Sequence, residues 1–318
     1  MLSRLLESLR RLEYPPSRLE LIVVGSNRDP GRAAVETFAG SADFPVRYCL
    51  VPEDVDGSAS LKRNAGVRAA CGAVIAFTDD DCVAHSGWIA AAMPLFRHPE
   101  VGGVEGAVDI PKPERPTLTY RGSLRLAQPN GYQTCNMFYR KSVFEECGGF
   151  DLSFPYYLED TDLAYTVMER GYAIPFAAGA VVSHPVQAGR PLKLLTIARA
   201  VEHLPYLFVK HQPSKHKLRA SMKPLNRSHY LYLALYAAAP LLVLAAPVKG
   251  PIVVALALCV LLLVHLAHDF RGVHFTASEL ALTALSQPLV PILRLFYWIK
   301  GLWGVRLGLR KDDRGGKR

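Results

Sequence analysis

The sequence predicts an α/β domain with a largely parallel sheet, followed by helices that span a membrane. Short apolar strands alternate with helical patterns in the first half of the chain. Two later stretches, 228–248 and 250–268, contain no Asp, Glu, Lys or Arg, and each is close to the roughly 20 residues that cross a bilayer core. Three adjacent carboxylates, Asp79 to Asp81, directly follow one strand, at the edge of the sheet where such folds bind ligands.

Three helices and three strands are predicted in order along the first quarter of the chain. Leucines at helical spacing and short apolar runs between polar turns identify them. The predicted helices cover residues 1–12, 32–39 and 61–70, and the predicted strands cover residues 19–24, 44–51 and 74–78. Because a nucleotide-binding α/β unit normally begins with a strand, we expect a first strand to be missing, through a start codon assigned downstream of the true one.

The three carboxylates would repel one another unless a cation or a charged ligand lay among them. In an extended segment alternate side chains share a face, so we expect Asp79 and Asp81 to converge on one ligand while Asp80 points away. Hard oxygen ligands suit Mg²⁺ or Mn²⁺, which usually hold the phosphates of a substrate. The alternative is a solvated acidic turn that caps the next helix.

A second acidic cluster, formed by Glu159, Asp160 and Asp162, precedes a predicted helix over residues 163–170. The helix dipole alone stabilises carboxylates at a helix N-terminus, and this requires no catalytic role. The functional alternative is that one of the three is a general base facing the metal site. The spacing of the carboxylates leaves both interpretations open.

A single histidine follows the apolar run over residues 177–183. This run predicts a strand that brings His184 to the edge of the sheet, immediately before Pro185. A lone histidine at the end of a strand is commonly structural or exposed, although imidazole is also a frequent metal ligand. The sequence around it leaves both roles open.

Charge is distributed unevenly along the chain. Residues 1–202 contain 21 Lys and Arg against 24 Asp and Glu, whereas residues 203–318 contain 16 against 4. The basic excess surrounds apolar segments instead of alternating with aromatic residues, which indicates a membrane surface and argues against a nucleic-acid partner. The six cysteines show no CxxC spacing and no signal peptide is recognised, so we expect the first domain to lie in a reducing cytoplasm.

The apolar segments predict how the chain meets the membrane. A basic juxtamembrane linker at 211–228 is expected to precede a helical hairpin at 229–268. A third apolar segment, 279–305, is expected to be re-entrant or interfacial, because two spans keep both the linker and the basic tail at 306–318 on the cytoplasmic side. The alternative, buried helices of a soluble protein, is disfavoured by two uncharged stretches of this length.

Four segments occur in a recognisable order: “ESLRRLEYPPSRLELIVV”, “SLKRNAGVRAACGAVIAFTDDDC”, “GYQTCNMFYRKSVFEECGGFD” and “LEDTDLAYTVMERGY”. They look like a first helix with a second strand, an Arg-Asn helix with a D-x-D strand, an acceptor-side segment and an E-D-x-D-L stretch. As a set they resemble family 2 of the inverting glycosyltransferases. That resemblance implies the nucleotide-sugar-binding GT-A fold, Rossmann-like with a mostly parallel sheet, over residues 1–210.

The resemblance also implies a donor side. Its residues are Asp79, Asp80, Asp81, Arg63 and Asn64. Asp79 and Asp81 would hold the ribose and diphosphate of a nucleotide-sugar donor through Mg²⁺ or Mn²⁺. Arg63 and Asn64 would lie near the nucleotide, and His184 would join Asp79 and Asp81 at the metal.

An acceptor side is implied in the same way. Asp160 would be the general base, and Glu159 would help to position the acceptor. Asn136 and Asp162 complete the acceptor-side residues. The expected activity is inverting transfer of a sugar to a hydroxyl of a lipid-linked or cell-envelope glycan. The expected location is the inner (plasma) membrane, with the catalytic domain cytoplasmic and membrane lipid as a partner.

Two further readings remain open. A polyprenyl-phosphate acceptor is already an anion and needs no base; its basic pocket would come from Lys210, Lys215, Lys217 and Arg219. A non-catalytic nucleotide-sugar-binding or scaffold protein is favoured by departures from the family pattern. Gly25 and Ser26 stand where the family usually has an Asp that contacts the base, with Asp29 further on, and Thr166 stands where it often has Arg.

Overall fold

A computed structural model of the chain describes residues 1–52, 58–154, 157–186, 197–269 and 271–308. The chain divides into two compact units, the first formed mainly by Met1–Pro111 and Ser123–Val186 and the second by Lys112–Gly122 and Gln187–Lys311. The sequence predicted this boundary at residue 210. The segment just before that position packs on the C-terminal helix, and the boundary at residue 210 stays a prediction. The predicted basic tail lies outside the described residues from 309 onward.

The first unit begins with two β-strands and the helices around them. Helices α1 (Leu2–Leu9), α2 (Arg32–Ala39) and α3 (Ala59–Ala69) accompany strands β1 (Leu21–Gly25) and β2 (Val46–Leu50). The two strands are parallel, with Leu21 opposite Val46. Apolar side chains of α1 and α2, including Leu6, Val35 and Phe38, form a small core with them. All five elements were predicted from the sequence, within a few residues at each end.

A five-stranded sheet carries the rest of this unit. Its strands are β3 (Val74–Phe77), β4 (Val83–Ala84), β5 (Gly103–Asp109), β6 (Met137–Arg140) and β7 (Phe176–Ser183), in the order β3-β6-β5-β7-β4. The accompanying helices are α4 (Trp88–Ala92), α6 (Lys141–Glu146) and α7 (Glu159–Glu169), whereas α5 (Leu118–Ser123) belongs almost entirely to the second unit. Helix α7 starts four residues before the predicted helix, so the second acidic cluster belongs to its first turn.

The expectation of a mostly parallel sheet is wrong for this part of the chain. Strand β5 runs parallel to β7, but the pairs β3–β6, β5–β6 and β4–β7 are antiparallel. The cause is the position at which β6 begins: Met137 pairs with Phe77, so β6 starts where β3 ends. Strand–helix alternation predicts parallel pairing, and among the first three strands only β1 and β2 pair in this way.

Strands β1 and β3 belong to different sheets among the described residues. A side chain links their beginnings, because Glu20 accepts hydrogen bonds from the backbone N–H groups of Cys71 and Gly72 at 2.6 and 2.8 Å. Residues Leu21 to Val24 are only partly buried although all are apolar.

An aromatic cluster supports the edge of the sheet. Phe77 at the end of β3 packs edge-on against Phe150 at a centroid distance of 5.4 Å, and Phe144 contacts both rings. Two glycines with positive φ, Gly148 at 78° and Gly149 at 69°, turn the chain so that Phe150 can reach this position. A side chain at Gly149 would run into Asn64 and Phe144, which explains the glycine.

Asn136 connects three elements of the first unit. Its side-chain nitrogen donates to the carbonyls of Ala107 in β5 and Ala180 in β7 at 2.7 and 2.8 Å. Its oxygen accepts a hydrogen bond from the indole of Trp88 in α4 at 2.8 Å. Asn136 is 1% exposed, so these contacts replace solvent completely.

The second unit is helical. It contains α8 (Leu204–Lys210), α9 (Lys215–Ser221), α10 (Arg227–Ala245), α11 (Lys249–Asp269), α12 (Ala277–Ser286) and α13 (Val290–Arg306). Two helices are long and apolar enough to cross a membrane, Arg227–Ala245 and Lys249–His268. Helices α12 and α13 bend by 49° at their junction and would make a third span only if the pair counts as one.

We predict that Asn136→Ala destabilises the first unit. Removing the amide leaves the Trp88 indole and two carbonyls buried without partners, which costs about 2–4 kcal/mol of unfolding free energy. Thermal unfolding in detergent, followed by tryptophan fluorescence, measures this. The exposed Gln128→Ala serves as the control and should leave the midpoint unchanged. Equal midpoints for both variants would contradict the role given to Asn136.

Candidate active site

Charged side chains from four separate segments meet at the edge of the sheet where β3 ends. The segments are the turn after β3, the middle of α3, the first turn of α7 and the residue after β7. Ligands bind at the carboxyl ends of strands in sheets of this kind. This edge is therefore the candidate site.

The acidic triplet forms a turn and not an extended segment. The N–H of Cys82 donates to the carbonyl of Asp79 at 3.1 Å, which closes the turn. Asp79 therefore faces Arg63 on one side, Asp80 is exposed, and Asp81 is buried with 8% exposure. The expected alternation along a strand is wrong because β3 ends at Phe77, two residues before the triplet.

Repulsion within the triplet shows in the ionisation of its central member. Partial burial and the nearby charges of Asp81, Asp79 and Asp29 raise the pKa of Asp80 above its ordinary value. Three neighbouring carboxylates therefore disfavour the charged form of Asp80. A cation or a cationic ligand would relieve the repulsion.

Asp81 and His184 form a pair that suits a divalent metal ion. The Nδ1 of His184 donates to the carbonyl of Pro185 at 3.1 Å, which leaves the lone pair on Nε2. This Nε2 lies 3.7 Å from Oδ1 of Asp81. Two electron-pair donors at this spacing, with the second ring nitrogen fixed by a carbonyl, are typical of a metal site. The carboxylate suits Mg²⁺ or Mn²⁺, and the imidazole favours a transition metal ion over Mg²⁺.

Cys82 is a third potential donor that the sequence analysis did not identify. Its sulfur, an oxygen of Asp81 and a ring nitrogen of His184 all lie within 4.8 Å of one another. However, Cys82 is fully buried and shares a hydrogen bond with Cys135, whose thiol pKa is raised by that bond and by burial. The thiol therefore already has a partner. The sequence signal that could have identified Cys82 as a donor is its position directly after Asp81.

Arg63 joins the two acidic clusters. One terminal nitrogen of its guanidinium donates to Glu159 at 2.8 Å, and the other donates to Asp79 at 3.3 Å. The guanidinium also lies 5.7 Å from the centre of the Phe150 ring, within cation–π range. Since only 20% of the Arg63 side chain is exposed, these ion pairs are shielded from solvent and stronger than surface pairs.

Asn64 holds the turn that carries Phe150. Its amide nitrogen donates to the carbonyl of Phe150 at 2.8 Å, and its oxygen accepts from the N–H of the same residue at 2.9 Å. This two-bond contact fixes the turn against α3. The side chain of Asn64 therefore stabilises the turn beside the site through these two hydrogen bonds.

The first turn of α7 presents two carboxylates with different surroundings. Leu158, the residue before the helix, has φ of 73°, an unusual value for a branched side chain. Glu159 is 7% exposed and paired with Arg63. Asp160 accepts from the N–H of Thr161 at 2.7 Å. Burial and the charge of Glu159 raise the pKa of Asp160 to about 7, although Thr161 and Arg63 act in the opposite direction.

Two expected acceptor-side residues are not displayed at this edge. Asn136 uses its amide hydrogens and oxygen within the fold. Asp162 is fully buried in α7. The structure therefore brings together Arg63, Asp79, Glu159 and Asp160 on one side and Asp81 with His184 on the other.

The sequence model of one family matches most of the chain. The family is described as glycosyltransferase like family 2, and the match covers residues 1–229. A curated relative, glycosyltransferase AglE from Haloferax volcanii, is 24% identical over 196 residues. The alignment covers 58% of this chain and 63% of that protein, so the chain spans less than two thirds of the relative's length.

Two solved structures have a similar fold. One is the mannosyltransferase PcManGT from Pyrobaculum calidifontis in complex with GDP-Man and Mn²⁺, with a TM-score of 0.56 and 18% identity, covering 95% of this chain and 83% of that one. The other is S. aureus TarS 1–349 in complex with UDP, with a TM-score of 0.50 and 13% identity, covering 96% and 88%. These likenesses show a shared GT-A fold.

Proposed function

The chain belongs to glycosyltransferase family 2, and from this premise we propose that it transfers a sugar from a nucleoside-diphosphate donor to an acceptor hydroxyl, with inversion at the anomeric carbon. The observation that carries the proposal is the pair of ion pairs made by Arg63. They link the turn of the acidic triplet to the helix that begins with Glu159 and Asp160. A two-substrate reaction needs these two sides at one fixed distance.

The donor is assigned to the side of the acidic triplet. Asp81 and His184 would hold Mn²⁺ or Mg²⁺, with Asp79 and Asp80 facing the ribose and diphosphate. When bound, such an ion neutralises the charge that develops on the departing diphosphate. Support for the choice of ion comes from the Mn²⁺ in the PcManGT complex, and support for the donor class comes from GDP-Man and UDP in the two similar structures.

Asp160 is assigned as the general base. A hydroxyl is a poor nucleophile until its proton is removed in the transition state, and a carboxylate within hydrogen-bond reach can remove it. A base is most effective when its pKa lies near the working pH, and that of Asp160 is raised to about 7. Glu159, held by Arg63, would then position the acceptor beside this base.

The acceptor is assigned to a membrane lipid-linked or envelope glycan at the cytoplasmic face. Two helices of suitable length and composition support a membrane location. Between residues 204 and 268 the sequence contains no Asp or Glu, while six Lys and Arg occur between 203 and 228. Such a basic segment next to a span favours the cytoplasmic leaflet.

We predict that Asp160→Asn lowers the transfer rate about 10²–10⁴-fold, the usual contribution of a general base. Release of UDP or GDP is measured from a panel of UDP- and GDP-sugars with a membrane lipid extract as acceptor. Asp43→Asn makes the same substitution at an exposed site in the same unit and should retain the wild-type rate. A wild-type rate in Asp160→Asn would contradict the assignment of Asp160 as the general base. It would point instead to a phosphate acceptor, which needs no general base.

The same assay gives a pH profile. Only ionised Asp160 accepts a proton, so the rate should rise about tenfold per pH unit at low pH and level off above a pH of about 7. Glu159→Gln removes a neighbouring negative charge, and this favours the ionised form of Asp160. The rising limb should therefore move to lower pH in that variant. If the rising limb of Glu159→Gln lies at the same pH as that of the wild type, the assignment of Asp160 as the general base is contradicted.

We also propose that α12 and α13 lie at the membrane surface and do not cross it. One face of α13 is exposed and apolar, with Ile292, Phe296, Ile299 and Trp303 at helical spacing. The other face is fixed to the protein. Such a helix fits the interface of a bilayer.

The fixed face of α13 carries charged contacts that a span would have to bury. The Nζ of Lys300 lies 3.2 Å from Glu202, and Arg294 donates to the carbonyl of Lys223 at 3.1 Å. A side chain at Gly301 would meet the carbonyl of Glu202, so the helix is in close backbone contact there. These contacts tie α13 to residues that precede the first span, on the basic side.

Two tryptophans of α13 provide a test. Trp303 is 67% exposed on the apolar face, whereas Trp298 packs on Phe208 at 6.0 Å. In nanodiscs with brominated phosphatidylcholines, bromines near the headgroup should quench Trp303 most strongly. Trp303→Phe should abolish this quenching, and the matched Trp298→Phe should keep it. Strongest quenching by bromines near the bilayer centre would show that the helix crosses the membrane.

A further inference from the structure

Two cations of helix α13, Lys300 and Arg294, contact the rest of the second unit in different ways. Lys300 forms an ion pair with Glu202 at 3.2 Å. Arg294 is partly buried, yet among the side chains that the structure describes no carboxylate lies within ion-pair distance of it. A partly buried guanidinium without an anion is unfavourable, because it loses hydration and no opposite charge replaces that loss.

Two backbone carbonyls hold the guanidinium of Arg294 in one orientation. Its Nε donates to the carbonyl of Pro224 at 2.5 Å, and its Nη2 donates to the carbonyl of Lys223 at 3.1 Å. These bonds use two of the five N–H groups of a guanidinium. The other three, on Nη1 and Nη2, have no acceptor among the described residues. A guanidinium edge of this kind binds two oxygens of one phosphate group at once.

The segment that holds Arg294 lies directly before the first candidate span. Residues 223–226 end where α10 begins, at Arg227. In the proposed arrangement, this is the level at which lipid headgroups meet the acyl chains. Tyr230 and Leu231, in the first turns of α10, are 57% and 56% exposed. A lipid bound at this level would therefore find a fixed cation for its phosphate and exposed apolar side chains for its acyl chains.

The charge around this segment selects an anion. Lys223 and Arg227 are both exposed, and the sequence contains no Asp or Glu between residues 204 and 268. The local field is therefore positive, and it attracts phosphate groups. Free phosphate would satisfy the cation alone, whereas a lipid also covers the neighbouring apolar surface.

We infer that Arg294 binds the phosphate of an anionic membrane lipid at the start of the first span, through the N–H groups for which the described residues offer no acceptor. The inference rests on the proposed placement of α13 at the membrane surface, and it does not depend on sugar transfer. It gives the second unit a lipid site of its own. Charge-assisted hydrogen bonds of this kind contribute about ten- to a hundredfold in affinity.

The variant Arg294→Gln removes the charge and the forked edge, while its amide can still donate to a carbonyl. Native mass spectrometry of the full chain in detergent measures binding of phosphatidylglycerol and of diacylglycerol with the same acyl chains. The wild type should bind phosphatidylglycerol at least about tenfold more tightly than diacylglycerol. Arg294→Gln should weaken phosphatidylglycerol about ten- to a hundredfold and leave diacylglycerol within about twofold. Arg271→Gln removes an exposed arginine of the same unit and should change neither.

Competition with inorganic phosphate separates the two sources of the anion. A large excess of free phosphate should leave phosphatidylglycerol bound, because it cannot replace the acyl-chain contacts. Displacement by free phosphate would overturn the assignment to a lipid. Equal binding of phosphatidylglycerol and diacylglycerol by the wild type would overturn it as well.

Equal affinity of the wild type and Arg294→Gln for phosphatidylglycerol would also overturn the inference. If thermal unfolding shows that Arg294→Gln does not fold, Arg294→Lys takes its place. Lysine keeps the charge but has no forked edge, so it should bind phosphatidylglycerol about tenfold more weakly than the wild type; wild-type affinity in that variant would overturn the inference. Because no donor is present in these measurements, their failure leaves the proposed sugar transfer standing, and the quenching of Trp303 tests the placement of α13 separately.

Discussion

One partly buried guanidinium, that of Arg63, holds together the sheet edge where the charged residues meet. Arg63 contacts Asp79, 16 residues later, and Glu159, 96 residues later, within a mostly shielded environment. Without a cation between them, the acidic triplet and the first turn of α7 would repel each other across the sheet edge. The two ion pairs of Arg63 offset this repulsion and hold Asp79 and Glu159 on either side of one guanidinium. The aromatic cluster under Phe150 and the bidentate contact of Asn64 hold the arginine's own helix against the same edge.

This arrangement explains why neighbouring carboxylates differ. Asp81 faces an imidazole lone pair and is suited to a cation, whereas Asp160 lies beside the charge of Glu159 and keeps a pKa of about 7. One carboxylate is thus placed to bind a cation, and the other, Asp160, to exchange a proton near neutral pH. Donor and acceptor chemistry can then proceed a short distance apart without interfering.

Local sequence patterns predicted the helices and strands, but they did not predict contacts between residues that are far apart in the sequence. The acidic triplet, the E-D-x-D stretch and His184 could be found because strand ends and helix starts leave clear signals in the sequence. The bridge made by Arg63 could not, since nothing local pairs residues 96 positions apart. Nor could the antiparallel β6, the turn at Asp79–Cys82, or the structural role of Asn136. Nor could the position of Asp29, whose Oδ2 lies where a side chain at Gly25 would stand.

The most direct test is a crystal structure with Mn²⁺ and UDP or GDP, with anomalous data collected at the manganese edge. We expect one peak within bonding distance of both Asp81 and His184, with the diphosphate of the nucleotide beside Asp79 and Asp80. Asp160 should face the opposite side of the diphosphate. A peak beside Glu159 and Asp160, or a bound nucleotide with no manganese at Asp81, would contradict the division of the site into donor and acceptor sides.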